Sequence, residues 1–256
     1  MQHYYVEGST LPEAYHKALS VLNSQGKVYP CPDYNTTMKE VSMTFYVENA
    51  LAEPFVSKLF PGGHYELQQY EMEIVDGVLD FMTSLGDTYW EYTYHQRFAY
   101  QLPFIYEELR RNPYSRRAIM NIRDFEVDSS NEHPACLQSI AFYQREGKLH
   151  MKIMMRSNDA VQATFMNAVG FIALQRKVAK DLGYEVGSYT HAAHSFHAYE
   201  NSFGLLETYA QNISEKPFEE LTYEYEAFYK DMMLEEVPKI MKQVAELKEK
   251  HGINRS

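Results

Sequence analysis

HPACLQSIAFYQREGKLHMKIMMRSNDAVQATFMNAV, from His133 to Val169, decides the fold, and HAAHSFHAYE, from His191 to Glu200, closes the same region. Cys136 to Gln144 and Lys148 to Arg156 alternate apolar and polar residues and are joined by Arg145-Glu146-Gly147, a pattern for two strands linked by a hairpin turn with glycine at its tip. Ala160 to Leu182 follows as one long apolar stretch ending at Gly183, which predicts a buried helix with a glycine C-cap. Val186 to Tyr199 predicts a further strand after a turn at Gly187.

Outward from this region the chain alternates in the same way. Thr10-Leu11-Pro12-Glu13 reads as an N-cap with proline in the first turn of a helix reaching about Asn23. Gln25 to Thr37, with two prolines, reads as loop, and Val41 to Val47 as a strand. Pro61-Gly62-Gly63 marks a turn before a helix from Tyr65 to Met82, and Leu102 to Arg111 predicts a helix stopped by Asn112-Pro113. Asp87 to Tyr100 is dense in tyrosine and carries Trp90, without a clear period. Arg117 to Asp124 reads as a short strand, Glu126 to His133 as a polar loop, and Pro217 to about Lys250 as charged helix. No repeat or linker divides the chain, so residues 1–256 are expected to form one α+β domain around a mixed sheet with flanking helices.

Composition narrows the partners. The 256 residues carry a formal net charge of -11, which disfavours general nucleic-acid binding because phosphates need a basic face. A small anion is still compatible, and the arginines that would hold it all lie at or beyond Arg97. Two cysteines, Cys31 and Cys136, give no disulfide framework and no zinc spacing. Neither a signal-like N-terminus nor a membrane-length apolar run occurs, so a cytoplasmic location is the expectation.

The side chains able to do chemistry gather in the opening region. Cys136 follows Pro134 at the start of a strand, where a thiol reaches a cleft and, as thiolate, attacks an electrophilic carbon; a buried core cysteine is the other reading. Met155-Arg156-Ser157-Asn158-Asp159 sits at a strand-to-helix junction suited to a phosphate and a heterocycle, or simply to capping a helix. Asn167 lies in an otherwise apolar stretch, and its amide has either a core partner or the edge of a uracil-like base to satisfy. Strand alternation separates His194 from His191, Ser195, His197 and Tyr199, which argues against a shared metal and leaves His197 and Tyr199 for a sugar hydroxyl. Ser115-Arg116-Arg117 adds a guanidinium pair, otherwise a solvated turn.

In order and spacing, Ser115-Arg116-Arg117, Pro134-x-Cys136, Arg156-Ser157-x-Asp159, Asn167 and His197-x-Tyr199 resemble thymidylate synthase, most clearly over residues 87–200. YTYHQR is similar to archaeal-type members, and MMRSND with NPYSRRAIM to phage deoxycytidylate hydroxymethylase. The resemblance implies a thymidylate-synthase-like fold whose sheet forms a homodimer interface. It implies one-carbon transfer from 5,10-methylenetetrahydrofolate to C5 of dUMP through a Cys136–C6 adduct, with no metal. Arg156 and Ser157 would hold the 5′-phosphate, with Arg116 and Arg117 of a partner subunit reaching in, and Arg156 would lower the Cys136 pKa. Asn167 would hold the base, His197 and Tyr199 the 3′-hydroxyl, and Asp159 would face the pterin. A helical glutamate that manages protons would be Glu71, with Glu48 as second choice, and the tyrosine near C5 would be Tyr94, with Tyr92 as the alternative.

The sequence also departs from the family pattern. Leu137 stands where the family has a histidine, Ala135 replaces a proline and Met155 a glutamine. The N-terminal third lacks the phosphate-binding arginine, with Lys27, Lys39 or no residue in its place, and KEKHGINRS lacks the apolar tail that closes over folate. A hydroxymethylase acting on dUMP or dCMP is therefore the alternative, and a nucleotide-binding protein with impaired turnover the remote one. A cysteine hydrolase leaves the arginines and Asn167 unexplained.

Overall fold

The structure is a computed structural model that describes residues 1–84 and 90–253. In chain order it comprises β1 (His3–Gly8), α1 (Leu11–Gln25), β2 (Lys27–Cys31), β3 (Thr36–Val47), β4 (Val56–Ser57) and α2 (His64–Asp76). The next elements are α3 (Tyr94–Ala99), α4 (Leu102–Arg111), β5 (Ile119–Asn121), α5 (Phe125–Asp128), β6 (Leu137–Arg145) and β7 (Lys148–Asp159). The last are α6 (Thr164–Leu182), β8 (Glu185–Tyr199), α7 (Phe203–Glu215), β9 (Thr222–Tyr223), α8 (Lys230–Glu235) and α9 (Val237–Lys250).

A seven-stranded mixed sheet runs β1-β3-β8-β7-β6-β5, with β2 also pairing β3. β7 and β8 are parallel, whereas β6 runs antiparallel to β7. That arrangement brings the start of β6 and the ends of β7 and β8 to one end of the sheet. Helices α1 and α6 pack on one face. Along β3, Val41, Met43, Phe45 and Val47 are buried against them, while Ser42, Thr44 and Tyr46 of the other face stay half-buried. Alternation of this kind specifies the register, because a one-residue slip would expose the whole apolar set.

Local chemistry accounts for the helix limits. Thr10 Oγ1 accepts from the Glu13 N–H at 3.4 Å, Glu13 accepts from the Ser9 N–H at 2.8 Å, and Pro12 lies in the first turn of α1. α6 ends at Gly183, whose φ of 73° is the left-handed conformation that favours glycine. Between the sheet and α2, α6 buries Phe165, Phe171, Ile172, Leu174 and Val178, each contributing about 1.5–3 kcal/mol on burial.

Several sequence readings need correction. Gln25 to Thr37 is not all loop: β2 is an edge strand, and an edge tolerates Pro30 opposite Thr37. β1 pairs in parallel with β3, and α7 covers residues for which no element was expected. The helix expected to reach Met82 stops at Asp76, because Gly77 turns left-handed with φ of 63°. The polar loop after Glu126 contains the end of α5, and the strand near Arg117 is only Ile119–Asn121. α6 begins at Thr164 because residues 160–163 form a turn. The C-terminal helical stretch is interrupted by β9 and by a π-helical turn at Tyr225–Tyr229. Part of the tyrosine-dense segment, residues 87–89, and the end of the C-terminal tail, residues 254–256, lie outside the described residues.

Candidate active site

A cleft of about 1030 Å³ opens where β6 begins and β7 and β8 end. Cys136, one residue before β6, lines it together with Ser157, Asn158 and Asp159 of β7 and His197 and Tyr199 of β8. Tyr70, Glu73 and Ile74 of α2 and Asn167 of α6 form its helical wall, and residues 90–94 border it. The volume is ample for a nucleotide beside a second organic ligand.

Cys136 is a free, half-buried thiol. The Arg156 backbone N–H donates to its carbonyl at 2.8 Å, and the Arg156 guanidinium donates to Pro134 O at 2.7 Å and Ala135 O at 3.2 Å. Tyr94 accepts from the Leu137 N–H at 3.3 Å, holding the next peptide. Burial raises the Cys136 pKa, and the Arg156 charge opposes that only in part. Arg156 thus lowers the Cys136 pKa as expected, but in the ligand-free protein desolvation outweighs the single guanidinium and leaves the thiol above its ordinary value.

Asn167 Nδ2 donates to Tyr70 Oη at 2.5 Å, and its Oδ1 accepts from Asn158 Nδ2 at 3.0 Å. Asp159 Oδ1 accepts from the backbone N–H groups of Val161 and Gln162, both at 2.9 Å, so this residue caps the turn as well as lining the cleft. His197 Nδ1 lies 3.2 Å from Ser195 Oγ, whereas its buried Nε2 has no protein partner among the described residues. A buried ring nitrogen left this way at a cleft wall is suited to a ligand hydroxyl. Burial lowers the His197 pKa, while Asp159 acts in the opposite sense. Tyr199 stands edge-on to His197 and to Tyr34, and Tyr34 stacks on His133 at the cleft rim.

Glu71 is not among these groups. Its carboxylate accepts from Arg176 Nη2 at 2.6 Å in a separate, small pocket beside Tyr225. The helical period explains this: residues 70, 73 and 74 share the cleft-facing stripe, and residue 71 projects elsewhere. Glu73 is the glutamate at the cleft, and burial raises its pKa above the usual carboxylate range. Glu48, the second choice, is exposed just after β3. Tyr94 and Tyr92 both line the cleft, and burial raises both phenols.

The basic residues divide into two groups. Arg117 is held by the buried Glu108, with Nε and Nη2 each at 3.1 Å, whereas Arg116 is exposed and unpaired among the described residues. Neither borders the cleft of its own chain. Lys39 lies over the Phe203 ring and Lys27 is exposed on β2, so neither substitutes there for the missing arginine.

The family and the fold follow from comparison with known proteins. The family model described as thymidylate synthase matches residues 61–240. The chain belongs to the thymidylate synthase family. A Methanocaldococcus jannaschii relative named "Putative thymidylate synthase" is 28% identical over 214 residues, 80% of this chain and 95% of its own length. The thymidylate synthase of Streptococcus suis is 31% identical over 108 residues, 40% of this chain and 39% of its own. The solved structure of thermostable thymidylate synthase A from Bacillus subtilis matches with a TM-score of 0.64 at 17% identity, over 79% of this chain and 84% of that one. That likeness establishes the thymidylate-synthase-like α+β fold. Tyr70, Glu73 and Asn158 are cleft residues that sequence reasoning passed over. The i, i+3, i+4 spacing of Tyr70, Glu73 and Ile74 was the available signal for the first two; Asn158 had none beyond its place between Ser157 and Asp159.

Proposed function

We propose that this protein transfers a one-carbon unit from 5,10-methylenetetrahydrofolate to C5 of dUMP, giving dTMP and dihydrofolate. The observation that carries this reading is the meeting of Cys136, Asn167, Ser157 and His197 in one cleft of a thymidylate synthase family member. In this reading the Cys136 thiolate adds to C6, and the electron pair moves to C5 and O4. C5 then attacks the methylene carbon of the folate, and the C5 proton leaves to a basic group. Elimination frees tetrahydrofolate and leaves an exocyclic methylene. Hydride from tetrahydrofolate converts it to methyl, and the enzyme thiolate departs from C6.

Each role rests on a feature of the cleft. Asn167 presents an amide to the base edge and, with Tyr70, carries charge that develops at O4. Glu73, raised by burial, is suited to exchange protons there, with Tyr94 beside the reacting carbon. The unpartnered His197 Nε2 and Tyr199 take the sugar hydroxyl, and Asp159 faces the pterin. Ser157 in the cleft takes the 5′-phosphate, with the remaining N–H groups of Arg156 behind it; Arg156 is tied to the Pro134 and Ala135 carbonyls and lies outside the cleft lining. Because neither arginine borders its own cleft, Arg116 and Arg117 act from the partner of a homodimer built on the sheet face that the helices leave half-exposed.

The test is covalent trapping. Incubation with 5-fluoro-dUMP and methylenetetrahydrofolate is expected to yield a ternary adduct on Cys136, located by peptide mass spectrometry. No adduct, or one that persists in Cys136→Ala, overturns the assignment. With dUMP, dTMP and the absorbance of dihydrofolate are expected. A 5-hydroxymethyl product with tetrahydrofolate retained would show instead that water captures the exocyclic methylene.

A further inference from the structure

Behind Asn167 lies a buried chain of hydrogen bonds that ends in the cleft wall. Tyr189 Oη is 2.8 Å from His191 Nδ1, and His191 Nε2 is 2.7 Å from Asn158 Oδ1. Thr164 Oγ1 lies 2.8 Å from Asn158 Oδ1 and 2.9 Å from the Asp159 carbonyl, and its one proton is shared between them. Asn158 Nδ2 donates to Asn167 Oδ1, and Asn167 Nδ2 donates to Tyr70. Tyr189 and His191 are fully buried, and the His191 ring stacks on Phe45 at 4.6 Å.

A side-chain amide has two flips of nearly equal shape and opposite hydrogen-bonding sense. The distinction matters for a pyrimidine reader, since uracil presents an acceptor at O4 and a donor at N3, and cytosine the reverse. Asn167 alone does not choose between them; something must hold its flip. We propose that Asn158 is a positioning residue that locks the Asn167 carboxamide in one flip and thereby sets which pyrimidine the cleft accepts. This rests on the reading of the cleft as a pyrimidine nucleotide site.

The sense of the chain follows from its far end. Burial pushes the His191 pKa down to about 3, so the ring is neutral with one donor and one acceptor. The fully buried Tyr189 Oη has His191 Nδ1 as its one hydrogen-bond partner among the described residues, so its proton is directed there, which leaves Nε2–H to donate to Asn158. With His191 Nε2–H directed at Oδ1, Asn158 turns its NH₂ toward Asn167. Reversing Asn167 would then set two NH₂ groups against each other in a buried site, an arrangement disfavoured by about 10- to 100-fold.

Trp90, the single tryptophan, borders the cleft and reports nucleotide binding independently of turnover. The experiment titrates dUMP and dCMP by its fluorescence in the wild-type protein and in Asn158→Asp, His191→Leu and His191→Gln. Asn158→Asp offers only acceptors, so Asn167 must turn its NH₂ toward it. The ratio of dUMP to dCMP affinity is expected to move toward dCMP by about 10- to 100-fold. His191→Leu is expected to move the ratio in the same direction, and His191→Gln, which keeps an N–H for Asn158, to restore it. An unchanged ratio in folded Asn158→Asp and His191→Leu proteins, or an equal loss of both affinities, overturns the proposal. The trapping experiment on wild-type protein is separate: no adduct on Cys136 defeats the functional reading, whereas an adduct with unchanged ratios defeats only the role of Asn158.

Discussion

The backbone N–H of Arg156 donates to the carbonyl oxygen of Cys136 at 2.8 Å, so the residue that brings positive charge near the thiol also anchors the peptide that carries it. Burial raises the thiol and Arg156 partly offsets it. Only the thiolate is nucleophilic, so in the ligand-free protein the alkylation rate of Cys136 is expected to climb at higher pH than for an ordinary thiol. In a Cys31→Ala background, Arg156→Gln is expected to displace the iodoacetamide rate profile to still higher pH, and Arg156→Lys to displace it less. Identical profiles for the wild type and Arg156→Gln would show that the guanidinium does not act on the sulfur.

Glu73 and Glu71 should differ in their effect on chemistry. Glu73→Gln is expected to lower kcat by about 10²–10⁴-fold, the usual worth of a group that manages protons. The folded-state pKa of Glu73 is raised, so the native state binds its proton more tightly than the unfolded chain, and stability falls as pH rises through that folded value. Glu73→Gln should therefore melt higher than wild type at pH 7 and show little difference near pH 4. Burial raises the Glu71 pKa as well, outweighing Arg176, so by the same linkage Glu71→Gln is expected to melt no lower than wild type at pH 7 although it loosens that pair, while leaving kcat within about twofold. Melting curves at the two pH values and steady-state rates check both; a larger kcat loss in Glu71→Gln than in Glu73→Gln reverses the assignment.

The contrast also shows what was legible in the sequence. Strands β6 to β8 and helices α1, α4 and α6 announce themselves by period, caps and turn residues, so the frame that carries Cys136, Ser157, Asn167, His197 and Tyr199 could be drawn beforehand. The direction in which a helical residue points could be read only if the register of α2 against α6 were known; without it the expectation falls on Glu71, with Glu48 second, whereas Glu73 faces the cleft. β1 and β2 were hidden because edge strands lack an apolar alternation and tolerate proline. The link from His191 to Asn158 depends on the pairing of β7 with β8, a non-local contact invisible in either strand alone.

Gly170 lets α6 approach α2 closely. A Cβ there would lie 2.6 Å from Tyr70 Cδ1 and 3.1 Å from Ile74 Cγ1, so Tyr70 must move. Gly→Ala in a helix interior is ordinarily stabilising by about 0.5–1 kcal/mol, but overpacking costs about 1–3 kcal/mol and should win. Because Tyr70 also accepts from Asn167, Gly170→Ala is expected to weaken dUMP binding as well as lower Tm. Thermal melts and Trp90 fluorescence measure the two effects, and a higher Tm with unchanged affinity would show that the crossing has room to spare.

The two neighbouring arginines should differ, because only one is already engaged. Buried Glu108 accepts from Ser115 Oγ and Arg111 Nη2, each at 2.5 Å, as well as from Arg117, which fixes the segment ahead of β5. Arg116, next to it, is exposed. If Arg116 completes the phosphate site of a partner subunit, Arg116→Ala and Cys136→Ala proteins are each impaired, the first through a raised KM for dUMP. Mixing and re-equilibrating them should regenerate one complete cleft per mixed dimer, since one chain supplies the thiol and the other the guanidinium. Random pairing of equal amounts predicts recovery of roughly one quarter of wild-type activity at low dUMP. A mixture no more active than the average of its parts would place Arg116 in its own chain's cleft or outside the site altogether.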